Sequence, residues 1–414
     1  MKQANIPPNR QSVQDALAWI DAHAAALSAQ DVPLEQATGR IVAVDVTTVA
    51  DLPPFDRAAA EGFAVRADET VGASTYNPLP LQLVDADDLP SGSAARVQAG
   101  DRLPSGADAV AALEQVEDEG NQICFIVEPV VSGAFVQRIG SHVARGDRLA
   151  SAGRLLRPAA IGLLASAGIN QVPVVRRPRI RCLVVGRNVF ETGSHLSADA
   201  VHDANGPLLN SLIARDGGLL IEQRRVDREV TAIRNALTSP GADVILVAGS
   251  SGRGRDDHAI TALAEVGELV IYGVKLRPGE TTCIGRVSPG AIVFVLQGAP
   301  AACLWGYELF AGRAIRRLGG MSPALPFPLR TMVAGRKIVS EIGITEVCPV
   351  HCHRNGTVVP IPSFSEAGLV AAVQADGFII VSERSEGYSQ GAPVVVYLCD
   401  ESSPHLAGKT GPTP

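Results

Sequence analysis

From residue 178 onward the apolar positions switch between two periods. Arg179–Val185 is a mostly apolar run that stops at Gly186, and Asp243–Ala248 and Ile292–Leu296 are further apolar runs of strand length. Leu219–Arg225 reads as another strand. Asn205–Arg215, Val230–Leu237, Ile260–Val266 and Ala301–Leu318 carry their apolar residues at helical spacing. Strands alternating with helices predict a parallel sheet covered on both faces. Such sheets bind ligands at the carboxyl ends of their strands, where Gly186, Gly249 and Gly298 fall.

The remainder of the chain is patterned differently. Ser12 is placed to cap an amphipathic helix running to Leu27, a short helix spans Leu34–Thr38, and Ile41–Val46 reads as a strand. Between 49 and 145, short alternating runs such as Leu79–Val84, Ala95–Val97 and Gln122–Pro129 are broken by Gly, Pro and Asp, as in a small β-rich unit. Arg157–Ala167 predicts a helix feeding Val172–Val175. Ser322–Pro328 reads as a proline-rich linker, and 329–400 as a compact all-β domain. The expected fold class is therefore multidomain α/β plus β: a central α/β parallel-sheet domain, a β-rich inserted domain and a C-terminal β-barrel-like domain. The expected division is an N-terminal helix (1–27) packing on the central domain, a linking domain (28–48 and 146–177), a β-rich domain (49–145), the α/β domain (178–321) and the C-terminal β domain (329–403).

Composition narrows the function classes. A formal net charge of −7 argues against general nucleic-acid binding, which needs a basic face. No run approaches the roughly 20 apolar residues of a membrane-spanning helix, and the first 25 residues lack the apolar core of a signal peptide. Seven cysteines in no framework of spacings point to reduced thiols in a cytoplasmic protein.

Four stretches carry candidate chemistry. Gly249-Ser250-Ser251-Gly252-Arg253-Gly254-Arg255-Asp256-Asp257-His258 follows a buried strand and precedes a helix, so its backbone N–H groups suit an oxyanion, with Arg253 and Arg255 as cations and Asp256 or Asp257 beside them for Mg²⁺. Lys275-Leu276-Arg277-Pro278-Gly279-Glu280-Thr281-Thr282 is a cationic turn between strands, and Leu296-Gln297-Gly298-Ala299-Pro300 a strand-to-helix turn. Either alone reads as plain turn chemistry; three such loops at one sheet edge point to a site. Asp56 and Glu61 flank a run of small residues, where carboxylates near an exposed turn can hold a hard cation. Cys348-x-x-His351-Cys352-His353 has zinc-like ligands, but strand geometry sends His351 and Cys352 to opposite faces, favouring a structural strand. There is no Walker loop and no GxGxxG.

Pro53-Pro54-Phe55-Asp56-Arg57-Ala58-Ala59-Ala60-Glu61-Gly62-Phe63-Ala64 closely resembles the segment Pro-Pro-Phe-Asp-x-Ser-Ala-Met-Asp-Gly-Tyr-Ala of the molybdopterin molybdotransferases. Ala99-Gly100-Asp101-Arg102-Leu103-Pro104-Ser105-Gly106-Ala107-Asp108-Ala109-Val110 is similar to that family's Thr-Gly-Ala-x-Leu-Pro-x-Gly-Ala-Asp-Ala-Val. The three loops are similar to its Gly-Gly-Val-Ser-x-Gly-x-x-Asp-Tyr, Lys-Pro-Gly-Lys-Pro and Leu-Pro-Gly-Asn-Pro, in the same order. The resemblance covers nearly the whole chain, and the gephyrin E domain shares it.

It implies insertion of molybdate into adenylylated molybdopterin with release of AMP and Mg²⁺ assisting, in a homodimer. An upstream adenylyltransferase and a molybdoenzyme client are the implied partners. Asp56, Glu61 and Asp257 are the expected catalytic residues, with Glu61 and Asp257 holding metal. Asp203, Asn205, Gly249, Ser250, Ser251, Gly252, Arg253, Arg255, Arg277, Pro278, Gly279, Gly298 and Pro300 are the expected substrate contacts. Departures accompany the resemblance: Arg187-Asn188 replace an acidic pair, Ala99 a Thr, Ser141-His142 a Glu-Asp pair, Glu280 a Lys and Ala299 an Asn. The site becomes more cationic, which suits a polyanion and leaves a second reading: a non-catalytic relative that carries or senses molybdopterin or the finished cofactor.

Overall fold

A computed structural model of the chain describes residues 10–118, 122–186, 189–194, 200–252, 258–361 and 368–399. They form two compact units. One combines the segment up to Ser28 with everything from Val175 onward, and the other is Ala29–Val174.

The first unit is built on a six-stranded sheet in the order Leu219–Val226, Arg179–Val185, Val244–Ala248, Ala291–Leu296, Cys283–Val287, Gly267–Tyr272. The first four strands run parallel. Cys283–Val287 runs against them, pairing antiparallel with Ala291–Leu296 on one side and Gly267–Tyr272 on the other, which corrects the expectation of a wholly parallel sheet. The reason is local: Ser288-Pro289-Gly290 is the entire connection from Cys283–Val287 to Ala291–Leu296, and a parallel crossover needs a dozen residues or more.

Side chains alternate through the central strands with period two. Cys182, Val184, Leu246, Ala248, Phe294 and Leu296 pack on one face with the helices Asn205–Arg215 and Val13–His23 and the helical run from Pro300 to Leu318. Leu183, Val185, Ile245, Val247, Val293 and Val295 pack on the other with Val230–Thr238 and Ala259–Val266. Ser12 caps the first helix through a reciprocal box, its hydroxyl accepting from the Asp15 N–H at 3.0 Å while Asp15 accepts from the Ser12 N–H at 3.3 Å.

The expected final helix is interrupted by a π turn, Tyr307–Ala311, between Pro300–Gly306 and Gly312–Leu318. It lies over a charge cluster in which Asp216, Glu308 and Arg316 are buried and Arg215 reaches the surface. The Arg215 guanidinium donates to both Glu308 oxygens at 2.6 and 2.8 Å and to both Asp216 oxygens at 3.2 and 3.0 Å. Arg316, 2% exposed, faces Asp216 at 3.0 Å as an ion pair whose alignment makes no hydrogen bond. Burial pushes Glu308 above the usual carboxylate range, with Arg215 opposing the shift. Gly312 passes so close to this cluster that a β-carbon there would stand 2.7 Å from an Asp216 oxygen.

Ser322–Pro328, expected as a linker, is a packed strap. The Pro323 carbonyl accepts from Arg313 and Arg316 at 3.3 and 3.4 Å, and Phe327 sits edge-on to Phe378. Beyond it, Thr345–Cys352, Thr357–Pro360, Leu329–Ala334, Pro393–Leu398 and Gly377–Val381 pair in a ring that closes back on Thr345–Cys352. Cys348 and Cys352 point into its core and His351 stays half-exposed, 3.6 Å from Asp376.

The second unit carries its own six-stranded sheet, in the order Ala109–Ala112, Gly62–Val65, Ser93–Val97, Leu79–Leu83, Ile123–Ile126, Val116–Asp118. The strand expected over Ile41–Val46 shrinks to isolated bridges at Ile41 and Val42 and a two-residue strand, Val46–Thr47. Asp45 breaks the run, because its carboxylate accepts from the Ala152 N–H and the Arg148 guanidinium, both at 2.8 Å. Among the described residues no helix is long and apolar enough to cross a membrane.

Replacing Asp216 with Ala would remove the ion-pair partner of the buried Arg316 guanidinium and leave only the more distant Glu308 to offset it. The expected cost is about 3–5 kcal/mol, read from urea unfolding. A loss below about 1 kcal/mol would show that the cluster does not hold this helix in place.

Candidate active site

In-register pairing places Val184, Ala248 and Leu296 side by side at the carboxyl ends of three parallel strands. The loops that follow need close passage. Gly249 has φ +98°, and a β-carbon on it would lie 2.5 Å from the Val185 carbonyl oxygen. A β-carbon on Gly298 would come within 3.4 Å of the Gly249 α-carbon. The Gly249 N–H donates to the Leu296 carbonyl at 2.9 Å, tying two of the loops together.

These loops surround a cavity of about 530 Å³, within the range of small-ligand sites. Ser250 and Ser251 are buried in its wall. The Ser250 hydroxyl accepts from the His258 N–H at 2.8 Å, clasping the two ends of the loop, and the Ser251 hydroxyl shares a 2.7 Å hydrogen bond with the Thr281 hydroxyl. Elsewhere in the lining, Asp203 accepts from the Gly206 N–H at 2.8 Å and Asn205 donates to the Gly298 carbonyl at 2.8 Å. Among the described residues, three polar atoms of this lining are buried without partners: Asn205 Oδ1, Gln297 Oε1 and Arg228 Nε. The helices Ala259–Val266 and Pro300–Gly306 begin at these loops, so the rim presents N–H groups and partial positive charge to an anion. Cys182 and Cys303 beneath the cavity are inert: burial pushes Cys182 up to about 12, with Asp203 adding to the shift, and burial raises Cys303 as well.

The structure thus brings together Asp203, Asn205, Gly249, Ser250, Ser251, Gly252, Gly298 and Pro300. Arg253, Arg255 and Asp257 lie outside the described residues. Arg277 does not line the cavity. It pairs with Glu341 at 3.0 Å and Glu280 at 3.8 Å, on the turn it shares with Pro278 and Gly279. Asp56 and Glu61 belong to the second unit. Asp56 accepts from the Ile139 N–H and the Arg138 guanidinium, each at 2.7 Å, and borders a polar hollow with Arg102 and Asp101. Glu61 is exposed, 3.9 Å from Arg96. Arg228 belongs to no motif read from the sequence. Its only signal is position, since it directly follows the carboxyl end of Leu219–Val226 at the same sheet edge.

Three family models match in chain order. The MoeA N-terminal region (domain I and II) covers residues 11–168, a model described as Probable molybdopterin binding domain covers 184–317, and the MoeA C-terminal region (domain IV) covers 331–399. A molybdopterin biosynthesis MoeA protein from Pyrococcus horikoshii has a similar structure, with a TM-score of 0.77 and 28% identity, covering 94% of this chain and 99% of that one. The molybdopterin molybdenumtransferase of Staphylococcus aureus is 25% identical over 414 residues, 94% of this chain and 96% of its own length. A molybdopterin biosynthesis protein of Methanocaldococcus jannaschii is 29% identical over 388 residues, 89% of this chain and 92% of its own. Fold and site together define a multidomain protein of molybdenum-cofactor biosynthesis, with an α/β domain between sheet-rich domains. The chain belongs to the MoeA family.

Two consequences can be measured. Gly249→Ala forces a side chain into a left-handed backbone against the Val185 carbonyl. It should destabilise by at least about 1–2 kcal/mol in thermal or urea unfolding and abolish ligand binding in the cavity. Asp56 is held below its ordinary value of 3.8, first by the Ile139 N–H and then by Arg138. A carboxyl with a lowered native pKa stabilises the fold above its unfolded pKa and loses that contribution as pH falls through the native one. Asp56→Asn should therefore flatten the decline in stability as pH drops below about 4, while the unsubstituted protein keeps it.

Proposed function

We propose that this chain is a molybdopterin molybdotransferase: it joins molybdate to adenylylated molybdopterin with release of AMP. The observation that carries this reading is the cavity at the carboxyl edge, where the Ser250–Ser251 loop, Thr281, the Gln297–Gly298 turn, Asp203 and Asn205 line one space. A pterin phosphate suits such a place. Its anionic end is met by loop and helix-terminal N–H groups, and its polar ring edge by the unpartnered oxygens of Asn205 and Gln297.

Each element of the chain has a task in this reading. The Ser250–Gly252 loop and Thr281 orient the phosphoryl groups, Asn205 fixes the Gly298 turn against the ligand, and the apolar strand ends keep water out. Buried carboxylate oxygens fit Mg²⁺ better than a soft metal, and Asp203 here and Asp257 from the resemblance are the residues of this unit that would hold it. When bound, the ion supplies charge neutralisation at the anhydride. The protein works in the cytoplasm as a homodimer, receiving its substrate from an upstream adenylyltransferase and passing product to a molybdoenzyme client.

One observation favours a second reading, in which the chain carries or senses the cofactor without turning it over. Two charges expected to serve chemistry, Asp56 and Arg277, are already neutralised within the fold. Single-turnover AMP release from adenylylated molybdopterin separates the two. The transferase predicts release that needs molybdate, disappears on chelation of Mg²⁺, and falls at least about 100-fold in Asp203→Asn and Asp257→Ala. Tight pterin binding with no AMP release would leave the carrier. Sedimentation at equilibrium tests the dimer.

A further inference from the structure

Arg228 is anomalous among the arginines of its neighbourhood. Arg224 and Arg225, on the strand that leads to it, pair with Glu222 and Glu191. Arg228 stands on the turn between the strand Leu219–Val226 and the helix Val230–Thr238 and lines the cavity half-buried. Among the described residues its buried Nε has no hydrogen-bond partner and no carboxylate oxygen lies within 4.0 Å of its guanidinium. A buried donor left without an acceptor is unfavourable, and an acceptor arriving in the cavity would satisfy it.

The chemistry of the ligand follows from what the wall lacks. A guanidinium offers a planar fork of donors that matches two oxygens of a tetrahedral oxyanion. Asn205 Oδ1 and Gln297 Oε1 lack donors in the same cavity. A pterin phosphate can satisfy all three, its oxyanion meeting Arg228 and its N–H groups the two amide oxygens, while molybdate bound beside the pterin could take the guanidinium instead. We propose that Arg228 anchors a tetrahedral oxyanion in this cavity, either the phosphate monoester of the pterin or molybdate itself. This rests on reading the cavity as the pterin site, and it adds the cation that sets how the ligand lies in it.

The test uses the full-length protein and the Arg228→Gln and Arg228→Lys variants. Each is titrated with the fluorescent oxidised pterin derived from molybdopterin, with the same pterin lacking its phosphate, and with molybdate alone. If the phosphate is the partner, Arg228→Gln binds the phosphorylated pterin about 10- to 100-fold more weakly and the dephosphorylated one unchanged, and Arg228→Lys recovers part of the loss. If molybdate is the partner, only molybdate binding falls by that factor. The unfolding midpoint of Arg228→Gln should hold or rise, because an uncompensated cation has been removed. Retained affinity for every probe, an equal loss for both pterins, or a variant that fails to fold would each overturn the anchoring role while leaving the cavity reading intact. A parent protein that binds none of the three probes would instead overturn the cavity reading, and this role with it.

Discussion

The constraint on which this molecule depends is the close passage of backbone at the carboxyl edge of the central sheet. Val184, Ala248 and Leu296 end in register, and the chain must leave three adjacent strands without filling the space above them. Gly249 and Gly298 make this possible: the first turns through a positive φ beneath the Val185 carbonyl, and the second runs against the first. The same geometry that opens the cavity aims the helix starts of Ala259–Val266 and Pro300–Gly306 at it. Packing explains why the edge stays rigid. Both faces of the strands are sealed by helices, so the loops stand on a floor with no freedom to tilt.

Charge is distributed unevenly over this frame. Where a carboxylate or guanidinium is structural it is answered in place: Asp216 by Arg215 and Arg316, Asp21 by Arg313, Asp45 by Arg148, Asp243 by Arg176. Among the described residues, unpartnered oxygens on Asn205 and Gln297 and an unpartnered nitrogen on Arg228 share one cavity lining. Buried polar atoms of Arg66, Tyr307, Arg316 and Glu383 also lack a hydrogen bond, but the cavity is where three such atoms line a space a ligand can enter.

Much of this was legible in the chain. Arg179–Val185 and Asn205–Arg215 have the bounds that the sequence pattern predicts, because each is a period-pure segment ended by a residue that stops it. The cavity residues Asp203, Ser250, Ser251 and Gly298 were reachable because strand ends announce themselves. Other features depend on tertiary partners that leave no local trace. Ile41–Val46 has the composition of a strand, yet Asp45 is claimed by residues more than a hundred positions away. The reversal of Cys283–Val287 against Ala291–Leu296 hides in a three-residue connection. Arg277 looked like an anion ligand until Glu341, distant in sequence, was seen to hold it. Arg228 belongs to no motif, and its significance lies in what fails to surround it.

The first unit is also discontinuous, and that bears on how it is made. Asp21, on the first helix, is held by Arg313, 292 residues later, and the Leu27 N–H by the Leu318 carbonyl. Between them lies the whole of Ala29–Val174. During synthesis at about 5–20 residues per second, the helix Val13–His23 waits roughly 15–60 s for the residues it packs against. The inserted unit, contiguous in the chain, meets all of its own partners first. The helix Val13–His23 is thus made long before the residues that house it, its apolar stripe of Val13, Ala16 and Ile20 uncovered in the interval. A chaperone that recognises nascent apolar helices has its longest opportunity there.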